Sequence, residues 1–109
     1  MDATAFENLA NETLERLFDA IEDALGDDGE VDFENGILTV ELSDGRQYVI
    51  NKHAQNQQIW LSSPISGAAH FKFDDTQNTW VSTRNEAVFL DVLSAEMSAL
   101  SDSRVEFSR

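Results

Sequence analysis

Closely spaced carboxylates in the first thirty residues are the side chains of this sequence best suited to chemistry. They are Glu12, Glu15, Asp19, Glu22, Asp23, Asp27, Asp28 and Glu30. On a 3.6-residue period the first five of these lie on one side of a helix, and the other three continue into the segment after it. Carboxylates are hard oxygen ligands, which suit Mg²⁺, Ca²⁺, Mn²⁺ and iron ions. Because the surface would be convex and lack a nearby imidazole, the pattern predicts weak, water-rich and poorly selective cation sites.

A solvated helix face is the simpler interpretation of these acids. Like charges four residues apart, such as Asp19 with Glu15 or Asp23, destabilise a helix by about 0.2–0.5 kcal/mol per pair. Glu22 and Asp23 also fall in the last turn, where acids oppose the helix dipole. Since the arrangement lowers stability, it favours a binding role for these side chains.

Acidic residues also dominate the charge of the whole chain. The net charge is −14, from 21 acids and 7 bases, and Arg16 is the only base before Gly45. Such a field repels nucleic-acid phosphates and anionic membranes, and it favours cations and basic protein surfaces. We therefore expect no nucleic acid and no membrane among the partners.

Several familiar catalytic and metal sites are excluded by residue type and spacing. The chain has no cysteine, which excludes disulfides, thiolate metal sites and a cysteine nucleophile. An EF-hand counted from Asp28 would place Phe33 where glycine is required, and no Glu-x-x-His pair for a di-iron centre is present. Neither a nucleophile elbow nor a glycine-rich phosphate loop occurs. We expect no catalytic residues, although enzyme activity stays open.

The elements that position these side chains follow from turn signals and periodicity. Thr4 and Glu7 match a capping box, which predicts a first helix from Thr4 to a stop at Gly26. Alternating patterns then predict five or six strands, at residues 30–34, 38–42, 46–52, 58–62, 69–73 and 79–82. A second helix is predicted over residues 85–100.

Short turns between consecutive strands require antiparallel pairing. One sheet face is apolar and two amphipathic helices are available to cover it. We therefore predict a single α+β domain over residues 1–109, a two-layer sandwich with both helices on one face of the sheet. In the tail, residues 102–109, Val105 and Phe107 are expected to pack against a helix. The pattern assigns no face to Trp80.

The opposite sheet face is predicted to carry a partner-binding surface. Ile59 and Leu61 alternate with Trp60, so burial of the two aliphatic side chains directs the indole outward. A tryptophan surrounded by amides on an open face is a candidate hot spot for a partner protein. Asn51 and His70 are expected on the same face.

The central stretch resembles the signature of the frataxin family. The resemblance is carried by Val49-Ile-Asn-Lys52, Asn56, Gln58-Ile-Trp-Leu-Ser-Ser-Pro64 and Ser66-Gly67. It extends to residues 7–14, 22–23, 31–40, 79–81 and 89–100, which covers most of the chain. In its centre the sequence is more similar to mitochondrial members than to the bacterial CyaY branch.

The resemblance implies iron binding and a role in iron–sulfur cluster assembly. It implies that the protein binds a cysteine desulfurase and its scaffold protein, modulates sulfur transfer, and delivers or senses iron (Fe²⁺ or Fe³⁺) held weakly on surface carboxylates. Together with the acidic pattern, it predicts an acidic ridge of Glu7, Glu12, Glu15, Asp19, Glu22, Asp23, Asp27, Asp28 and Glu30 as metal ligands. Asn11 stands at a position that is often acidic in the family.

The same resemblance implies a partner surface of Asn51, His53, Gln58, Trp60 and His70. His53 stands where relatives commonly carry glutamine, and His70 where they often carry arginine or lysine. Because histidine titrates near neutrality, the strength and pH dependence of this contact stay open.

Two alternatives to the regulator remain at this stage. One is a ferroxidase or iron store, and the other is a metal-independent acidic module that only meets a basic partner. We expect a monomer, with iron-induced oligomers as a further state. An acidic N-terminus without a basic presequence favours a bacterial cytoplasmic protein, or the processed part of a protein of the mitochondrial matrix.

Overall fold

A six-stranded sheet with two helices packed on one of its faces forms the framework of the protein. The computed structural model describes residues 1–101 and 104–107. Its elements are α1 (Ala3–Leu25), a 3₁₀ turn (Gly26–Asp28), β1 (Gly29–Glu34), β2 (Ile37–Leu42), β3 (Gln47–His53), β4 (Gln58–Ser63), β5 (Gly67–Asp74), β6 (Thr79–Ser82) and α2 (Phe89–Ser101). The two-layer α+β architecture predicted from the sequence is confirmed. Neither described helix is both long enough and apolar enough to cross a bilayer.

The sheet is a simple antiparallel meander in which each strand pairs with the next along the chain. At the first turn, Asn35 and Gly36 both have positive φ, as the predicted Asn-Gly turn requires. The positive φ of Gly36, +76°, favours glycine there, and a Cβ at this position would also displace the end of the Lys52 side chain, whose Cε would lie 2.7 Å away.

The core lies between the inner sheet face and the two helices. From α1 it takes Phe6, Ala10, Leu14, Leu17, Ile21 and Leu25, which repeat at helical spacing. The inner positions of β2, β3, β4 and β5 supply Leu38, Val40, Tyr48, Ile50, Ile59, Leu61 and Phe71.

The beginning of α1 differs from the predicted capping box. The helix starts at Ala3, and the N-cap is Asp2, whose Oδ1 accepts the backbone N–H of Ala5 at 2.7 Å. Thr4 is therefore inside the first turn. Glu7 is free to turn toward the sheet, where it forms an ion pair with Lys52.

The predicted start of α2 at Asn85 is wrong. The helix begins at Phe89, because local hydrogen bonds hold the preceding residues in a loop. Ser82 Oγ accepts the backbone N–H of Arg84 at 3.1 Å, and Asn85 Oδ1 accepts that of Ala87 at 3.0 Å. Polar side chains that bond to nearby backbone in this way compete with helix formation.

The described part of the tail packs on α2, as predicted. Val105 and Phe107 are buried in the core. Their backbone N–H groups donate to Ser98 Oγ at 2.8 Å and to Ser94 Oγ at 2.9 Å, respectively. Residues 102, 103, 108 and 109 of the predicted tail lie outside the described residues.

Trp80, to which the sequence assigned no face, is a core residue that joins β6 to α1. Its indole N–H donates to Thr13 Oγ1 at 3.1 Å. Its ring packs edge-on against Phe6 and Phe73, with centroids 6.0 and 5.4 Å away. Since a buried indole N–H needs an acceptor, Thr13 explains how the core accommodates this side chain.

Candidate functional site

Acidic side chains from helix and sheet surround an open concavity of about 900 Å³ where α1 ends and β1 begins. We call it the acidic concavity. Its carboxylates are Asp19, Glu22, Asp23, Glu30, Asp32 and Glu41, and the lining residues include no lysine, arginine or histidine. Oxygen donors of this kind fit hard cations, including iron ions.

Two local geometries bring these carboxylates together. Asp19, Glu22 and Asp23 follow one flank of the last turns of α1, the flank next to β1. Glu30 and Asp32 alternate along β1, and Glu30 stands directly opposite Glu41 of β2. Like charges directly opposite in a sheet are destabilising, as are like charges in neighbouring helical turns. The fold therefore keeps an arrangement that lowers its own stability.

Two members of the predicted acidic ridge lie away from the concavity. Glu7 pairs with Lys52 at the start of the helix, on the side that faces the sheet. Glu12 pairs with Arg16 at 2.9 Å and lines a second, smaller cavity of about 190 Å³ between α1 and Trp80. Both carboxylates have a cationic partner, whereas those of the concavity form no ion pair with the described residues.

The remaining ridge residues are exposed on nearby segments without lining the concavity. Glu15 lies on the solvent side of α1, and Asp27 and Asp28 lie in the 3₁₀ turn. Conversely, Asp32 and Glu41 line the concavity although the sequence did not select them as ligands. The Asn35–Gly36 turn sets the strand register that places Glu41 opposite Glu30. The sequence could therefore have identified Glu41 from the position of that turn.

The carboxylates are grouped but do not form a ready-made chelate. Among the described residues, no three Asp, Glu or His side chains are close enough together to hold one metal ion. Any cation would therefore contact one or two carboxylates, with water completing its coordination. The donor set fits iron in chemistry and predicts loose binding.

The residues of the predicted partner surface lie together on the outer face of β3, β4 and β5. Ile59 and Leu61 are buried while Trp60 is half-buried on the other face, as alternation predicted. Trp60 lies opposite Asn51 on one side and opposite His70 on the other. Its indole N–H donates to Gln58 Oε1 at 2.8 Å.

Three rings in this surface stack face to face. The His53 and Trp60 ring centroids are 3.8 Å apart with planes 6° from parallel, and those of Trp60 and His70 are 4.2 Å apart at 9°. We call these three residues the aromatic ladder. The structure thus brings together all five residues of the predicted partner surface, on a different part of the sheet from the acidic concavity.

Comparison with known proteins decides the family. Residues 1–103 match the model of the Frataxin-like domain. The frataxin homolog of Schizosaccharomyces pombe mitochondria is 39% identical over 108 residues, which cover 95% of this chain and 68% of that protein. The chain belongs to the frataxin family.

Bacterial relatives carry a functional name. The iron–sulfur cluster assembly protein CyaY of Neisseria meningitidis serogroup C is 36% identical over 97 residues, covering 86% of this chain and 88% of that one. The frataxin family therefore contains proteins of iron–sulfur cluster assembly as well as mitochondrial frataxins.

Solved frataxins share the fold. Frataxin from Psychromonas ingrahamii superposes with a TM-score of 0.86 at 26% identity over the full length of both chains. A trimeric frataxin from the yeast Saccharomyces cerevisiae, complexed with ferrous iron, has a TM-score of 0.75 at 34% identity, covering 86% of each chain. Both support the architecture described above, and the second associates a frataxin with iron.

Proposed function

We propose that this protein binds iron at the acidic concavity and modulates a cysteine desulfurase and its scaffold protein in iron–sulfur cluster assembly. The observation that carries the proposal is the concavity itself, where six carboxylates from α1, β1 and β2 lie without a basic side chain among the lining residues. The family and the names of its members supply the pathway.

The acidic concavity and the sheet face around Trp60 have separate roles in this function. The concavity concentrates the negative field of a chain with net charge −14, which attracts Fe²⁺ or a basic patch on the desulfurase. The face around Trp60 docks through amide and ring contacts and fixes the orientation of the partner. Iron at the concavity then changes the charge that the partner meets, which couples iron level to sulfur transfer.

The test is cysteine desulfurase turnover in an anaerobic desulfurase–scaffold mixture, with and without this protein and with and without Fe²⁺. The test variant neutralises the concavity: Asp19→Asn, Glu22→Gln, Asp23→Asn and Glu30→Gln. The matched control removes four charges elsewhere: Asp75→Asn, Glu86→Gln, Asp91→Asn and Glu106→Gln. We expect the first variant to bind Fe²⁺ roughly tenfold more weakly and to lose the iron dependence of turnover, because ligand charge sets affinity.

The outcomes separate this function from its alternatives. Equal losses in both variants would indicate a general effect of net charge and would contradict a site in the concavity. A rate change that is independent of iron but absent in the concavity variant would favour the metal-independent module. If the desulfurase is unaffected, and a separate aerobic assay with Fe²⁺ shows catalysed O₂ consumption that saturates at a fixed iron ratio, the ferroxidase is favoured.

A further inference from the structure

Imidazole rings cover both faces of the Trp60 indole in the aromatic ladder. His53, Trp60 and His70 come from three neighbouring strands, so rings stacked along that direction stand upright on the sheet. Their edges point to solvent and their faces do not. A partner therefore meets the edges of the ladder, since a ring or guanidinium group can stack on Trp60 only after displacing a histidine.

The exposed edges favour acceptor groups over cations. Aromatic rings carry positive partial charge at their edges, and imidazole adds an N–H donor. The backbone N–H of Asn56 donates to His53 Nδ1 at 3.3 Å, which places the proton of the neutral ring on Nε2. A carboxylate or carbonyl oxygen is the complementary partner group.

The charged groups nearest the ladder are mostly basic. Lys72 of β5 stands opposite Gln58, next to the Trp60–His70 pair. Arg84, in the loop after β6, donates to the backbone at the start of β5. Asp74 lies farther along β5 and is hydrogen-bonded within its own turn. The other acids of the outer strands and of that loop are Glu30, Asp32, Glu34, Glu41 and Glu86.

The acids of β1 and β2 lie two or three strands from Trp60, on the order of 10–14 Å at normal strand spacing. Glu41, on the strand next to that of His53, is paired with Gln47, six residues along β3 from His53. Glu86 lies in the same loop as Arg84. The ring edges of the ladder, with Lys72 and Arg84 nearby, thus favour acceptor groups on a protein whose net charge is −14. This polarity is opposite to that of the acidic concavity.

We propose that the aromatic ladder is a proton-sensitive docking patch for a carboxylate-bearing segment of the desulfurase–scaffold complex. The inference rests on the proposed function and adds the chemistry of the contact. Histidine changes charge between about pH 5 and 8. Protonation of His70 adds a second N–H donor and a positive charge at the edge that meets the partner, so binding of a carboxylate strengthens as the pH falls. At His53 the second nitrogen already accepts the Asn56 N–H, so this ring contributes mainly through Nε2.

Calorimetric titration of the purified desulfurase–scaffold complex at about pH 6 and pH 8 tests this directly. The comparison is wild type against a His53→Phe/His70→Phe variant, which keeps stacked rings and cannot titrate. Because the chain contains two histidines, the variant has none left, and its pH ratio reports the partner alone. For wild type, the affinity at the lower pH divided by the affinity at the higher pH should exceed the same ratio for the variant roughly 5- to 10-fold.

A Lys72→Glu variant provides an independent measurement, since it places a carboxylate beside the ladder without touching the rings. It should weaken binding at both pH values, while Arg46→Glu, a matched reversal in the turn before β3, should change it little. An equal pH ratio in wild type and the phenylalanine variant, or unchanged binding by Lys72→Glu, overturns the inference while the proposed function stands. Absence of wild-type binding at both pH values overturns both.

Discussion

Tyr48 is a buried residue whose ionisation is coupled to folding. Its hydroxyl donates to Glu96 Oε1 of α2 at 2.7 Å, and that carboxylate also accepts from Ser63 and Ser66. Burial and, secondarily, the hydrogen bond to Glu96 raise the pKa of Tyr48 far above its ordinary value. The network joins α2 to β3 and to the β4–β5 turn.

The pH dependence follows from the direction of this shift. Because the folded pKa lies above the unfolded one, the contribution of Tyr48 to stability is fully present below about pH 10 and decreases at higher pH. We expect the free energy of unfolding of wild type to fall more steeply above pH 10 than that of Tyr48→Phe. At pH 7 the variant should be about 1–2 kcal/mol less stable, because it lacks the hydrogen bond.

Urea unfolding between pH 7 and pH 11 measures both effects. Since Tyr48 is the only tyrosine, its ionisation can also be followed by absorbance without interference. Lysine titration is common to both proteins and cancels in the comparison. If the free energies of unfolding of wild type and Tyr48→Phe fall in parallel above pH 10, ionisation of the Tyr48 phenol does not cause the loss of stability.

Among the elements, the end of α1 has the clearest conflict between stability and binding. The last turn contains Glu22 and Asp23 and no basic residue, so its charge opposes the helix dipole. Asp23→Lys should stabilise the protein by about 0.5–1 kcal/mol, by reversing that effect and the repulsion with Asp19. It should also weaken iron binding at the acidic concavity.

Asp91→Lys is the matched control, because it makes the same charge change in the first turn of α2, where an acid is favourable. It should destabilise the protein by a similar amount. Chemical denaturation of both variants at low salt gives the two free energies. Stabilisation by both substitutions would show that net charge, rather than position along a helix, controls the effect.

The sequence predicted a helix or strand boundary where a turn or an alternating pattern marks it, and missed it where other hydrogen bonds decide it. The stop at Gly26, the Asn35–Gly36 turn and the strands were predicted, since turn chemistry and alternation are local. The start of α2 was wrong because Ser82 and Asn85 bond to loop backbone, which a helical pattern does not reveal.

The candidate site shows the same limit. Helical spacing grouped Asp19, Glu22 and Asp23 correctly, but Glu41 joins them only through strand register. The pairing of Glu7 with Lys52 joins residues far apart in the chain, which spacing could not predict. The stacking of three rings in the aromatic ladder depends on side-chain rotamers across strands, and alternation predicted only their shared face.

At the scale of the whole molecule, charge repulsion should make stability depend on ions. Fourteen of the 21 acids precede Arg46, and six of them surround one concavity. At 0.1 M salt the Debye length is about 10 Å, and repulsion between exposed charges farther apart than this is largely screened, so the unfolding midpoint should rise between low and moderate NaCl. A divalent cation at equal ionic strength should raise it further, because specific binding to the folded state adds to screening.

The size of the divalent effect follows from mass action. At a free concentration ten times the dissociation constant, binding adds roughly 1.4 kcal/mol to the free energy of unfolding. Thermal melts with Mg²⁺ or anaerobic Fe²⁺, against NaCl of matched ionic strength, measure this excess in wild type and in the concavity variant of Asp19, Glu22, Asp23 and Glu30. The excess should vanish in that variant and persist in the control that neutralises four acids elsewhere.

An unfolding midpoint that does not change with either salt would contradict destabilisation of the fold by charge repulsion. An excess retained by the concavity variant would place the cation elsewhere on the surface.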